Sequence, residues 1–162
     1  MNQKEETFEI WKKNTFTRID NWKKSFDVSY MKIKLDYSIK SLSELEKYIL
    51  SEYSEADLKN KKNNLALDGI ASYIGETFIE LIPESKWGIY ARDKSNIYYN
   101  LPCIFTKYSG SISVHFLLRD ILSKRRSEVL ETRLNKVLKN DERFRQLVNK
   151  TNANRVDGSA PN

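Results

Sequence analysis

The sequence of 162 residues contains one Cys, one His, five Gly and three Pro, and each scarcity excludes a kind of chemistry. One Cys excludes an intrachain disulfide and a zinc site built from several thiolates. One His excludes sites that need two imidazoles, such as the zinc-binding H-E-x-x-H helix. The glycines lie at least six residues apart, so neither glycine-rich phosphate loop can form. We therefore expect no catalytic, cofactor-binding or metal-binding residues, and a binding protein rather than an enzyme.

Long apolar segments are also missing. The charged N-terminus, MNQKEETFEIWKKN, has no apolar core of a signal peptide. No segment approaches the roughly 18 apolar residues needed to cross a bilayer. An unpaired Cys is most easily kept reduced in a cytoplasm. These features predict a cytoplasmic protein that does not insert into membranes.

Basic residues are present in excess, and their distribution is uneven. The 28 Lys and Arg outnumber the 22 Asp and Glu, which gives a net charge of +6. Between His115 and Lys150, ten basic and five acidic residues account for +5 of it. The cluster centres on Lys124, Arg125 and Arg126. Such a cluster attracts acidic proteins or nucleic acids, or is simply a solvated helix face.

The hydrophobic fraction of 40% is sufficient for a folded core. We predict an α+β fold in which helices pack on a small antiparallel sheet of about three strands, with a helical C-terminal segment. Residues 1–150 are expected to form a single domain, with an N-terminal helical segment at 1–27 and basic helices at 115–150. The polar residues 151–162 are predicted to be a disordered tail.

Apolar spacing predicts the elements of the first half. Residues 4–26 favour two short helices, or one helix with an irregularity near Asn14. Alternation over residues 30–37 indicates a half-buried strand or an extended lead into the next helix. Ser41 and Glu44 have the spacing of a capping box, and Ser54 and Asp57 have that of a weaker one. A central helix is predicted from about 55 to 81, with a close neighbour at its two glycines.

In the second half, residues 87–91 and 97–101 have the pattern of two strands joined by a polar hairpin loop. Pro102 either makes the second strand an edge strand or divides it, with the continuation beginning at Cys103. Helical spacing returns at 113–122 and at 129–138, as one continuous helix or with a break near Arg126 and Ser127.

Three isolated residues are candidates for chemistry, and each has a structural alternative. His115 is either a general base or a His at a strand–helix junction. Cys103 lies in an apolar strand context that raises a thiol pKa, which favours core packing over nucleophilic catalysis. Glu76, beside Gly75, is either a packed carboxylate at an element junction or an acid–base group.

Interleaved aromatic and basic residues form the larger candidate set. They are suited to a protein interface, to stacking of single-stranded nucleic acid, or to sheet packing. Adjacent strand residues point to opposite faces, so Tyr98 and Tyr99 cannot share one surface. The proposed partner-binding residues are Tyr90, Arg92, Tyr98, Tyr99, Tyr108, Lys124, Arg125 and Arg126.

A longer pattern connects several short motifs. It comprises Leu35-Asp-Tyr-Ser38, Ser41-Leu42, Leu67-Asp-Gly-Ile-Ala-Ser-Tyr-Ile-Gly-Glu76, Trp87 and Asn100-Leu-Pro102. This pattern resembles small bacterial proteins with an aromatic–aliphatic–Gly–Glu helix and a Trp-led strand pair, of the kind found as immunity partners in polymorphic-toxin systems. The resemblance covers roughly residues 35–125. It implies mainly structural roles for Tyr73, Gly75, Glu76, Trp87 and Pro102, and no catalytic residue.

Two functions follow from these observations as hypotheses. The first is an immunity protein that neutralises a cognate toxin by occluding it. Inhibitors of nucleases are often acidic, whereas a chain of charge +6 suits an acidic toxin surface. The second is a nucleic-acid-associated protein that uses Lys124, Arg125, Arg126, Arg133 and Lys136.

Overall fold

The computed structural model describes residues 3–25 and 33–157, and it has the predicted α+β architecture. The elements, in chain order, are α1 (Gln3–Lys13), α2 (Thr15–Ser25), α3 (Ile39–Glu52), two short 3₁₀ helices (Glu55–Lys59 and Lys61–Asn63), α4 (Asn64–Leu81), β1 (Lys86–Ile89), β2 (Pro102–Phe105), β3 (Ser111–Ile112), α5 (Val114–Lys124) and α6 (Val129–Asp157). None of the helices in these ranges is long and apolar enough to span a membrane.

Helix α4 is the centre of the fold, and ten of its residues are buried. Helix α2 packs closely against it, because a Cβ at Gly69 would lie 2.4 Å from Cβ of Trp22. The close neighbour predicted at the glycines is therefore confirmed. The helix is shorter than predicted, since residues 55–63 form two 3₁₀ helices separated by extended backbone at Asn60. The predicted start at Ser54 is confirmed, with the Asp57 carboxylate accepting from the Ser54 amide at 2.8 Å.

The sheet is antiparallel, with strand order β1–β2–β3. Trp87 is opposite Ile104, and Ile104 is opposite Ile112. The second strand lies at Pro102–Phe105, so the prediction of a strand at 97–101 was wrong. Those residues form turns because the Asn96 side chain accepts from the Tyr98 amide at 2.8 Å and Asn100 has a φ of 60°. The strand predicted from Cys103 onward is present in β2, but it begins at Pro102 and does not continue an earlier strand. Because β2 is the central strand, the prediction of an edge strand at Pro102 was wrong.

The segment before α3 is extended but is not a strand. Residues 33–37 have no ladder partner within the described chain, and residues 30–32 of the predicted strand lie outside it. Helix α3 is capped by Ser38, whose hydroxyl accepts from the Ser41 amide at 3.1 Å. The capping box predicted at Ser41 was therefore wrong. The Ser41 hydroxyl instead donates to the Ser38 carbonyl at 2.7 Å and is hydrogen-bonded to the Tyr73 hydroxyl, also at 2.7 Å.

Both ends of the chain were predicted in part. The N-terminal segment is two helices that meet at Asn14, as one alternative proposed. A break between α5 and α6 is also confirmed, with positive φ at Arg125 and Glu128. Helix α6 runs to Asp157, so the prediction of a disordered tail from Thr151 was wrong for residues 151–157. Residues 158–162 lie outside the described part.

Candidate binding site

The Tyr–Ile–Gly–Glu motif holds secondary-structure elements together. The Tyr73 hydroxyl accepts from the Tyr37 amide at 2.9 Å, and the two tyrosine rings stack with centroids 4.9 Å apart. Trp87 lies over Gly75, where an added Cβ would be 2.1 Å from the indole ring. The indole nitrogen of Trp87 donates to Glu76 at 2.7 Å. The motif therefore fixes α4 to the start of α3 and to β1.

Arg18 completes this cluster, and its role has no signal in the local sequence pattern. Its guanidinium lies 4.0 Å from the ring centroid of Trp11, and the Trp11 ring contacts Trp87 edge-on. It also pairs with Asp68 at 3.2 Å. Burial raises the pKa of Glu76, although the Trp87 hydrogen bond and the Arg18 charge act in the opposite direction. We interpret Glu76 as a packed carboxylate, because one of its oxygens accepts from the indole of Trp87, which is itself half-buried against the core.

Cys103 and Pro102 are strand residues with packing roles. Pro102 begins β2 opposite Ile89, where its missing amide hydrogen is tolerated at the strand end. Cys103 is completely buried, and burial raises the pKa of its thiol to about 11. A thiol of this kind is protonated at neutral pH and is inert as a nucleophile.

His115 lies at the start of α5, beside Asp68. Its Nε2 is 3.8 Å from Oδ1 of Asp68, whose Oδ2 pairs with Arg18. His115 lines a shallow depression of about 530 Å³ with Leu65 and Arg119. None of the described residues that line this depression is a Ser, Thr or Cys, so the imidazole has no hydroxyl or thiol there to activate.

The candidate tyrosines fall into three environments. Tyr90 and Tyr98 belong to a row of rings that continues to Phe116, with centroid separations of 6.5 and 5.4 Å. Tyr99 contacts Lys4 of α1 instead, through its ring and its hydroxyl. Tyr108 stacks on Phe144 of α6, with ring centroids 6.2 Å apart. Tyr98 and Tyr99 therefore do contact different elements.

Two candidate cations serve intramolecular contacts. Arg92 pairs with Glu5 at 3.1 Å and so connects the hairpin region to α1. Arg125 donates to the Tyr53 carbonyl at 2.7 Å and to the Leu50 carbonyl at 2.5 Å, which satisfies carbonyls at the end of α3. Both side chains act within the chain rather than as free surface charges.

The basic triplet is therefore divided by the fold. Lys124 pairs with Asp120 one turn earlier on α5. Arg126 is exposed and, among the described residues, makes no hydrogen bond or ion pair. Of the three residues at the centre of the basic cluster, Arg126 is the one without a hydrogen bond or ion pair inside the described part of the chain.

Arg126 lines a groove of about 480 Å³ between α5 and the first turns of α6. Its lining includes the aromatic side chains Tyr98 and Phe116 and three cations, Arg126, Arg133 and Lys136. Within the described ranges, none of these three cations is paired with a carboxylate, so we call this feature the basic groove. It unites residues from both the aromatic and the basic candidate sets.

A buried carboxylate positions the first turn of α6, which lines the basic groove. Glu46 of α3 is 1% exposed and accepts from the amides of Val129 at 2.8 Å and Leu130 at 3.3 Å. It therefore supplies the N-terminal cap of α6 from another helix. Burial raises the pKa of Glu46, while the backbone hydrogen bonds oppose the rise. Glu46 lies four residues after Leu42 and three before Ile49, so its spacing is that of the buried face of α3, but no local pattern indicates which backbone amides it caps.

Comparison with models of protein families, with curated proteins and with solved structures gave no match for this chain.

Proposed function

We propose that this chain is a cytoplasmic protein-binding module, specifically an immunity protein that neutralises a cognate bacterial toxin by occluding it. The observation that carries the proposal is the basic groove. Its lining combines the rings of Tyr98 and Phe116 with three cations, and these cations have no carboxylate partner among the described residues. A surface of this kind combines apolar area with charge, which are the components of specific protein recognition.

The chemistry of the groove favours a protein partner over a nucleic acid. Asp120 and Glu128 also line it, so the groove carries both signs of charge, whereas a groove that follows a phosphate backbone is lined by cations alone. The Tyr98 and Phe116 rings contact each other edge-to-face, with an angle of 78° between their planes. That geometry leaves no parallel pair of faces for stacking successive bases. Of the five cations named in the nucleic-acid hypothesis, Lys124 and Arg125 are engaged within the chain, whereas Arg126, Arg133 and Lys136 line the basic groove.

Occlusion requires affinity and shape but no reaction. A basic surface accelerates encounter with an acidic partner, and the aromatic contacts then provide lasting affinity. The resemblance to immunity proteins across residues 35–125 is consistent with this role, since the motif residues that carry it hold the scaffold together. The predicted partner is an acidic surface of the toxin.

The test is co-expression with the product of the adjacent gene in a bacterial host. The wild-type chain should restore growth and co-purify with that product. The variant Arg126→Glu/Arg133→Glu should lose both effects, with binding weakened at least about tenfold. A matched control, Lys61→Glu/Lys62→Glu, makes the same charge change at exposed residues of a 3₁₀ helix and should protect like wild type.

Two results would contradict the proposal. In one, the adjacent gene product is neither toxic nor bound. In the other, the groove variant protects as well as the control. Retention of the wild-type chain on a single-stranded oligonucleotide at low salt, lost in the groove variant, would favour the nucleic-acid alternative.

A further inference from the structure

Beyond Asp141, helix α6 carries an apolar stripe that is exposed to solvent. Phe144, Leu147 and Val148 follow the i, i+3, i+4 spacing of one helix face, and they are 46%, 50% and 43% exposed. Large side chains with half their surface in water are uncommon when three of them lie together. We call these three residues the α6 stripe.

The stripe continues the face by which α6 joins the core. Leu130, Leu134 and Val137 are buried on that face, and Asp141 is buried where it accepts from Ser109 at 2.5 Å. Past this point the only ring contact of the stripe among the described residues is Tyr108 on Phe144. The pattern of a buried helix thus extends about two turns beyond the body that buries it.

The borders of the stripe are basic. From residue 143 to residue 152 there are three basic residues and no acidic ones. Arg143 and Lys150 lie four before and three after Leu147, so they border it on the same side, and Arg145 lies beyond Val148 on the other. Arg143 is also seven residues from Lys136, which places the basic groove and the stripe along one side of α6. From Arg133 to Lys150 this side is about 26 Å long at about 1.5 Å per residue.

We propose that the α6 stripe binds an acidic amphipathic helix of the partner protein, which continues into the basic groove. The inference rests on the proposed function and specifies the partner element that the chain recognises. An apolar strip with cations on both borders is complementary to a helix with an apolar face bordered by carboxylates. The length of about 26 Å corresponds to about 17 residues of such a helix.

The same charges argue against other occupants. A second copy of this chain would place Arg143, Arg145 and Lys150 against identical cations, with no carboxylate among residues 143–152 to pair with them. A nucleic acid would leave the apolar side chains unmatched, and the face of Phe144 is already stacked on Tyr108. A flat membrane surface does not fit a stripe that leads into a concave groove.

The first experiment uses a defined peptide as the probe. A synthetic 18-residue peptide, with Leu at helical spacing and Glu at its other positions, is titrated with the intact chain by fluorescence anisotropy. Its control has the same composition in scrambled order, without an apolar face. The acidic helix should bind at least about tenfold more tightly than the scrambled peptide. Equal binding of the two peptides would overturn the proposal, as would tighter binding of a 20-nucleotide single strand or of phosphatidylglycerol vesicles.

The second experiment separates the stripe from the groove. Leu147→Glu places a carboxylate in the stripe, while Asn149→Glu places one on the opposite, exposed face of the same helix. Binding of the acidic peptide and of the adjacent gene product should fall at least about tenfold in the first variant and stay within about twofold in the second. If only the groove variant Arg126→Glu/Arg133→Glu weakens the adjacent gene product, the stripe is refuted and the proposed function stands. If neither Leu147→Glu nor the groove variant weakens binding of the adjacent gene product, both proposals fail.

Discussion

Replacement of Gly75 by Ala tests whether the Trp87 contact determines how the sheet joins α4. The added Cβ would lie 2.1 Å from two ring carbons of Trp87. Carbon atoms pack at about 3.5–4.0 Å, so the indole must move by more than an ångström. That movement also breaks its hydrogen bond to Glu76, which is 2.7 Å long.

The magnitude follows from three contributions. Overpacking costs about 1–3 kcal/mol, and loss of a hydrogen bond to a charged group costs about 1.5–3 kcal/mol. Ala favours the helix by about 1 kcal/mol relative to Gly. We expect the free energy of unfolding to fall by about 2–4 kcal/mol, as measured by urea denaturation followed by circular dichroism.

A double-mutant cycle shows whether the clash is the cause. In the background Trp87→Leu the ring is absent, so Gly75→Ala should be neutral or stabilising by up to about 1 kcal/mol. An equal loss of stability in both backgrounds would refute the reasoning, because the cost would then arise from the backbone of α4 and not from Trp87.

Three further predictions concern residues whose surroundings differ from what their position in the sequence suggests. Glu46→Gln should lower the free energy of unfolding by about 1–2 kcal/mol, because the two oxygens of Glu46 accept from two separate amides at the start of α6 and the amide nitrogen of Gln cannot accept. Burial raises the pKa of Glu46 above 4.5, so wild-type stability should fall as pH rises from that value through the raised pKa. The gap to the Gln variant should then narrow in urea titrations across this range, and a constant gap would count against the assignment. Arg125→Gln should lower the free energy of unfolding by about 1 kcal/mol but leave partner binding within about twofold. Arg126→Gln should weaken partner binding but leave the free energy of unfolding unchanged, and unfolding and titration measurements on both variants check this pair of outcomes. Cys103, whose thiol pKa is raised to about 11, should react with a thiol reagent at the rate of unfolding, and rapid reaction of the folded chain would contradict its burial.

Local patterns predicted much of the helical structure. Helix α4 ends just before Pro83, and the break near Asn14 follows the interruption of the apolar spacing. The end of α6 was misjudged because polar residues were read as a stop signal. Residues 151–157 contain neither Gly nor Pro, and the helix continues through them.

Other errors came from contacts between distant residues. Ser38 and Ser41 are both suitable caps by sequence, and the hydroxyl of Ser41 is instead bonded to Tyr73, 32 residues away. Likewise, Arg125 and Arg126 are equivalent in a charge count. The first reaches carbonyls of α3, more than 70 residues earlier, while the second lines the basic groove. Long-range geometry of this kind has no local signal, so the sequence located the basic segment without identifying its free cations.

The most direct test of the account is a calorimetric titration of the intact chain with the adjacent gene product at two salt concentrations. We predict saturable binding that weakens as salt rises, and that weakens at least about tenfold in Arg126→Glu/Arg133→Glu but not in Lys61→Glu/Lys62→Glu. Absence of binding to that protein, or identical binding by the two charge-reversed variants, would contradict the assignment of the basic groove as the binding site.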